Sequence, residues 1–80
     1  MVDEVKSEET MSRNELAEYL HGLAEEFEGG EAIDVNVGNK TVTLSPRERI
    51  DCEIGTHERS AMLGSDTEAL TLDVSWEPGN

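Results

Sequence analysis

The residues best spaced for chemistry are Glu18, His21 and Glu25. In a helix, residues three and four apart share one strip, so two carboxylates and an imidazole line up there. A Glu-x-x-His pair is one half of a carboxylate-bridged metal site, but such sites take matching carboxylates from further helices. This chain predicts a single helix, so the triplet reads as a solvated face with a histidine among acids. It is retained as the weak metal candidate. Glu53 and His57 cannot share a metal in a regular strand, because four residues at ~3.3 Å each put them roughly 13 Å apart. Cys52, the single cysteine, has the parity of Ile50 and Ile54. It is expected to point into the core as an inert thiol. Arg47, Arg49 and Arg59 form a basic island in an acidic chain. An anion contact is the chemistry such an island offers; balancing Glu48, Asp51, Glu53 and Glu58 is the plainer role. Trp76 is the single tryptophan. It is expected to lid the core, or, at a sheet edge, to serve a partner. The interface candidates are therefore Trp76, Arg47, Arg49 and Arg59. No catalytic set and no cofactor site emerges.

Two motif-like stretches carry no chemistry. Asn39-Lys40-Thr41 matches a glycosylation sequon by chance, inside a tight turn. Gly29-Gly30 follows a helix and precedes a strand, the reverse of a phosphate loop.

The elements that position these residues follow from periodicity. Ser12 to Glu15 spells a capping box. Leu16, Leu20, Leu23 and Phe27 then mark one helical face, with Glu15, Glu18, Glu25, Glu26 and Glu28 opposite. Gly29-Gly30 closes the helix through a left-handed conformation. The period next falls to two. Ile33, Val35 and Val37 form one strand; Val42 and Leu44 form the next, across a Gly38-Asn39 hairpin turn. Ser45-Pro46 breaks that strand. Ile50, Cys52 and Ile54 alternate with Arg49, Asp51 and Glu53. Residues 57–66 read as a long loop. Leu70, Leu72, Val74 and Trp76 alternate with Thr71, Asp73, Ser75 and Glu77. The expected fold class is α+β: one amphipathic helix on one face of a four-stranded antiparallel sheet, the other face toward water. Residues 1–10 are expected to be a flexible acidic arm or a short edge strand, 11–77 one domain, and 78–80 a tail.

Certain of these residues resemble a known family: Lys6-Ser7-Glu8-Glu9, Ser12-Arg13, Leu16-Ala17, Leu20 to Ala24, and the closing Leu70-x-Leu72-x-Val74-x-Trp76. Together they look like the amphi-Trp domain family, small proteins frequent in salt-loving archaea and named for an amphipathic last strand ending in tryptophan. The resemblance implies a fold pattern and a salt-rich habitat, and it transfers no catalytic or binding residue.

Composition points the same way. Nineteen acidic and six basic side chains give a net charge of -13. Lys6 and Lys40 are the only lysines. Acid-rich and lysine-poor chains suit a cytoplasm of molar salt, where a Debye length of ~3 Å at 1 M screens surface repulsion. No basic stripe suits nucleic acid. No apolar run reaches the ~18 residues of a membrane span, nor does one follow Met1 as a signal peptide would. The expectation is a cytoplasmic, non-catalytic module that binds itself or an unknown protein partner. The alternative is a small-ligand or metal-binding protein.

Circular dichroism against KCl concentration is expected to show a cooperative gain of structure as salt rises. Full native signal at about 10 mM salt, where the Debye length is ~30 Å, would contradict this reading of the charge.

Overall fold

A computed structural model of the chain describes residues 4–78. It is α+β, with one helix and four strands paired in antiparallel fashion. Helix α1 spans Arg13–Glu28, β1 Ile33–Val37, β2 Lys40–Leu44, β3 Asp51–Arg59 and β4 Thr67–Ser75. Contacts cluster in two compact units, one running through Pro46 and the other Arg47–Glu77. Each is described by itself.

The helix begins as its sequence dictates. Ser12 Oγ accepts from the Glu15 amide at 3.0 Å, and Glu15 Oε1 accepts from the Ser12 amide at 3.0 Å. Two amides with no partner inside the helix are thereby satisfied. At the other end Gly29 keeps a right-handed helical φ of -65°, and its amide donates to Glu25 and Glu26 carbonyls at 3.2 Å. The left-handed turn falls one residue later, at Gly30 with φ +76°. Along the expected apolar face only Leu23 and Phe27 are half-buried; Leu16 and Leu20 are exposed.

Strands β1 and β2 form a two-residue hairpin in the expected register, with Ile33 opposite Leu44, Val35 opposite Val42 and Val37 opposite Lys40. Gly38 has φ +63° and Asn39 is not left-handed. A glycine at the first central position is the requirement of a type II′ turn. A side chain at Gly38 would also meet Ser7 Oγ at 3.0 Å. The alternate positions make a polar ladder: Thr41 Oγ1 donates to Asn36 Oδ1 at 3.0 Å, and Thr43 Oγ1 to Asp34 Oδ1 at 2.7 Å. Ile33, 1% exposed, is the one fully buried hydrophobic side chain among the described residues.

The helix packs against β1. It does so along the strand's rim. The Tyr19 hydroxyl donates to the Asn36 carbonyl at 2.7 Å, and the Asp34 amide donates to Glu26 Oε1 at 2.7 Å. In an antiparallel pair alternate residues aim these groups away from the partner strand. Tyr19 and Glu26 are seven residues apart, two helical turns, and so share one face.

Three expectations are corrected here. The four strands do not form one sheet: they pair as two separate two-stranded sheets, β1 with β2 and β3 with β4. Residues 45–50 between them form no strand, and Pro46 has no amide to give a ladder. Consequently the expected strand at Arg49 starts only at Asp51. The loop expected over 57–66 is shorter, because His57, Glu58 and Arg59 remain in β3, opposite Ala69, Glu68 and Thr67. Polar residues on both faces hide a strand from a hydrophobic-period reading. Of the two readings given for residues 1–10, the described part, residues 4–10, forms no strand, and residues 1–3 lie outside the described residues.

The capping box lowers the Glu15 carboxyl below its ordinary 4.5, first through the Ser12 backbone bond and then through the Ser12 side chain. A lowered folded value means stabilisation present above pH 4.5 and lost as pH falls through the folded value. Helicity of the wild type is therefore expected to exceed that of Glu15→Gln above pH 4.5, the two converging at lower pH. A constant difference across pH would refute this. Ser12→Ala is expected to cost about 1 kcal/mol in denaturant titrations.

Candidate interaction surface

Strand pairing sorts the second unit's side chains into two faces, because directly opposed residues of an antiparallel pair share a face. Cys52 lies opposite Val74, Ile54 opposite Leu72, and Thr56 opposite Leu70. These six, Thr56 the one hydroxyl among them, make the apolar face, which the pair Glu58 and Glu68 bounds at the loop end. On the other face Asp51 is opposite Ser75, Glu53 opposite Asp73, Gly55 opposite Thr71, His57 opposite Ala69 and Arg59 opposite Thr67. The Thr71 hydroxyl reaches the Gly55 carbonyl at 3.4 Å. Any Cβ at Gly55 would stand 3.1 Å from that hydroxyl oxygen.

The apolar face is uncovered. Ile54 is 68% exposed, Leu70 74% and Leu72 56%. Val74 alone of the six is half-buried. Ordinary proteins expose single apolar side chains freely, but a contiguous cluster marks an interaction site. Beyond the strand ends, the loop 60–66 carries Met62 and Leu63, both almost fully exposed. Its base is tied by a bond from the Ala61 amide to Asp66 Oδ1 at 3.2 Å. Both strands also keep one rim free of any hydrogen-bonded neighbour strand among the described residues. An unpaired rim is a template for another strand.

The polar face and the strand ends concentrate like charge. Glu53 opposes Asp73 on one face, and Glu58 opposes Glu68 on the other. Like charges placed directly opposite destabilise a pair. Among the described residues the one ion pair is Lys6 with Glu4, at 3.0 Å. The arginines do not balance these acids through ion pairs.

The structure places the sequence-derived candidates as follows. Glu18, His21 and Glu25 are all exposed on α1. Glu18 and Glu25 line a cleft with Tyr19, Leu23, Glu26 and Asp34, which His21 does not line. Among the described residues no three His, Cys, Asp or Glu side chains are placed to hold a metal. Arg47 and Arg49 precede β3, and Arg59 ends it. The strand between Arg49 and Arg59 is roughly 30 Å long at ~3.3 Å per residue, so Arg59 stands apart from Arg47 and Arg49. All three arginines are exposed. Cys52 is exposed, not core-facing, and that expectation is corrected: its parity holds, but the face it shares with Ile54 is open. Trp76 lies one residue past β4 and is half-buried.

Sequence reasoning found the alternation of Leu70, Leu72 and Val74 but assigned that face to a closed core. It missed the continuation of β3 through Arg59, which polar residues on both faces conceal.

A capped helix, a short hairpin on its rim and a long hairpin ending in an alternating strand with tryptophan define an α+β chain of the amphi-Trp kind. The family model for the Amphi-Trp domain matches residues 1–80, the whole chain, which therefore belongs to that family. Comparison with curated proteins and with solved structures finds no significant match in either. No helix among the described residues is long and apolar enough to cross a membrane.

Titration with divalent metal ions in high salt is expected to give the same response for wild type and His21→Ala. Tighter metal binding by the wild type would make the α1 triplet a site.

Proposed function

We propose that this chain is a non-catalytic interaction module of a salt-rich cytoplasm, and that it associates first of all with copies of itself through β3–β4. The observation that carries the reading is the uncovered apolar face, with Ile54, Leu70 and Leu72 each more than half exposed. Burying a side chain of this kind is favourable by roughly 1.5–3 kcal/mol when complete. Several such side chains on each of two partners offset a substantial part of the cost of association. The free rims add backbone donors and acceptors that a second chain can satisfy. A wider sheet, of the four-stranded kind that the alternation anticipates, is then completed by association.

The charge gives this module its environment. At net charge -13 two copies repel one another in dilute buffer. Molar salt removes most of that repulsion and leaves apolar burial in control. The alternative of small-ligand or metal binding has less behind it: His21 stands outside the cleft its neighbours line, and β3 separates Arg59 from Arg47 and Arg49.

Light scattering after size exclusion, in about 2 M KCl where the Debye length is under ~3 Å, is expected to give wild type a mass at least twice that of the 8.8 kDa chain. Leu72→Lys, which sets a charge in the apolar face, is expected to elute as a smaller species than wild type. It lowers the negative charge, so its dissociation cannot come from added repulsion. A wild type that stays strictly monomeric at high protein concentration, and captures no protein at native salt, would sink the proposal.

A further inference from the structure

We infer that the second copy joins edge to edge, β3 against β3 in antiparallel fashion about a two-fold axis at Gly55, to make one sheet in the order β4-β3-β3-β4. This rests on the self-association just proposed and names its geometry. The rim of β3 that faces away from β4 has no neighbouring strand among the described residues. Nine residues, Asp51–Arg59, make it long enough to template a ladder.

The register follows from the residues on β3's polar face. With Gly55 on the axis, Asp51 of one copy faces Arg59 of the other, and Glu53 faces His57. The two-fold repeats both pairs. Four contacts thus place a carboxylate against a basic side chain, each of a kind that stabilises a cross-strand pair. Sliding by two residues leaves only one kind of such pair, Asp51 with His57 or Glu53 with Arg59. Sliding by one residue would set the polar face of one copy beside the apolar face of the other, which register rules forbid where one face is to be covered. Strand β4 offers no equivalent. Paired with itself about Thr71, it would put Asp73 against Ala69 and Glu68 against Val74, with no opposite charges.

The same pairing answers a defect of the isolated hairpin. Glu53 there faces Asp73 across the pair with β4 and has no basic neighbour across the strands. The edge contact supplies His57 of the second copy on its other side. Glycine at the axis suits the design, since two side chains would otherwise meet there. On the opposite face Ile54 meets Thr56 and Cys52 meets Glu58, so Ile54, Leu70, Leu72 and Val74 of both copies lie on one side of a four-stranded sheet. The exposed patch of each hairpin becomes half of a larger one, and two such sheets stacked face to face bury it, which is the burial that drives the association.

Cysteine placement tests this geometry in high salt. In a Cys52→Ser background, Glu53→Cys and His57→Cys are made separately. Directly opposed residues have Cα atoms about 4.5–5.5 Å apart, within the range a disulfide spans. Position 53 of one copy and 53 of the other would be separated by four residues along the strand, too far to bridge. Mild oxidation of the two proteins mixed in about 2 M KCl, where surface repulsion is screened, is therefore expected to give a covalent dimer of mixed composition. Either protein alone is expected to give little. Light scattering on each variant before oxidation confirms that it still associates. A dimer by scattering with no mixed disulfide would overturn the edge geometry while leaving self-association intact. Crosslinks of equal yield in the mixture and in the separate proteins would overturn the register. A monomer by scattering for the wild type would overturn both readings.

Discussion

Two hydrogen bonds at the rim of β1 govern the first half of this molecule. The Tyr19 hydroxyl takes up the Asn36 carbonyl and the Glu26 carboxylate takes up the Asp34 amide. An open strand edge is a row of unsatisfied donors and acceptors. Here the helix occupies that edge with polar side chains. A helix held at a rim cannot also cover the sheet's apolar face from end to end. This explains why Leu23 and Phe27 are half-buried while Leu16 and Leu20 stay exposed. It also explains why a single residue, Ile33 at the start of the strand, is fully buried among those described.

A core this thin leaves little to set against repulsion among carboxylates. Small domains bury a modest share of their surface, and every like-charge pair weighs more in them. The long hairpin shows the consequence. Its apolar face is open, and its strands set acid against acid at Glu53–Asp73 and Glu58–Glu68. High ionic strength lowers the repulsion, and the association proposed above would supply the missing burial. On the function proposed above, the acidity is a condition on the surroundings, and the binding information resides in the apolar face and the order of charges along β3.

Much of the local structure was legible. The capping box at Ser12–Glu15 is specified by the types of two residues three apart, and it formed. The Gly38-Asn39 turn fixed the register of β1 with β2, because a two-residue loop permits only one. The family resemblance, read from the same helix and last strand, is confirmed over the whole chain. What misled was the inference from alternation to enclosure. Alternation at Leu70, Leu72 and Val74 shows which side chains share a face, but not whether anything covers it. Cys52 failed for the same reason: its parity was right and its burial was not.

The sequence by itself determined most of the elements, their caps and turns, the face each strand side chain occupies and the net charge. These are local or additive properties, set by neighbours within a few residues or by a simple count. Only the tertiary structure decided that the strands pair as two hairpins, that β3 runs on through Arg59, and that the helix seats on a rim. Those outcomes depend on which distant backbone groups find partners, and no spacing along the chain encodes that choice. The arginines show the difference most plainly: an island when counted, they are split once the nine-residue β3 is drawn out, with Arg59 at its end and Arg47 and Arg49 before its start.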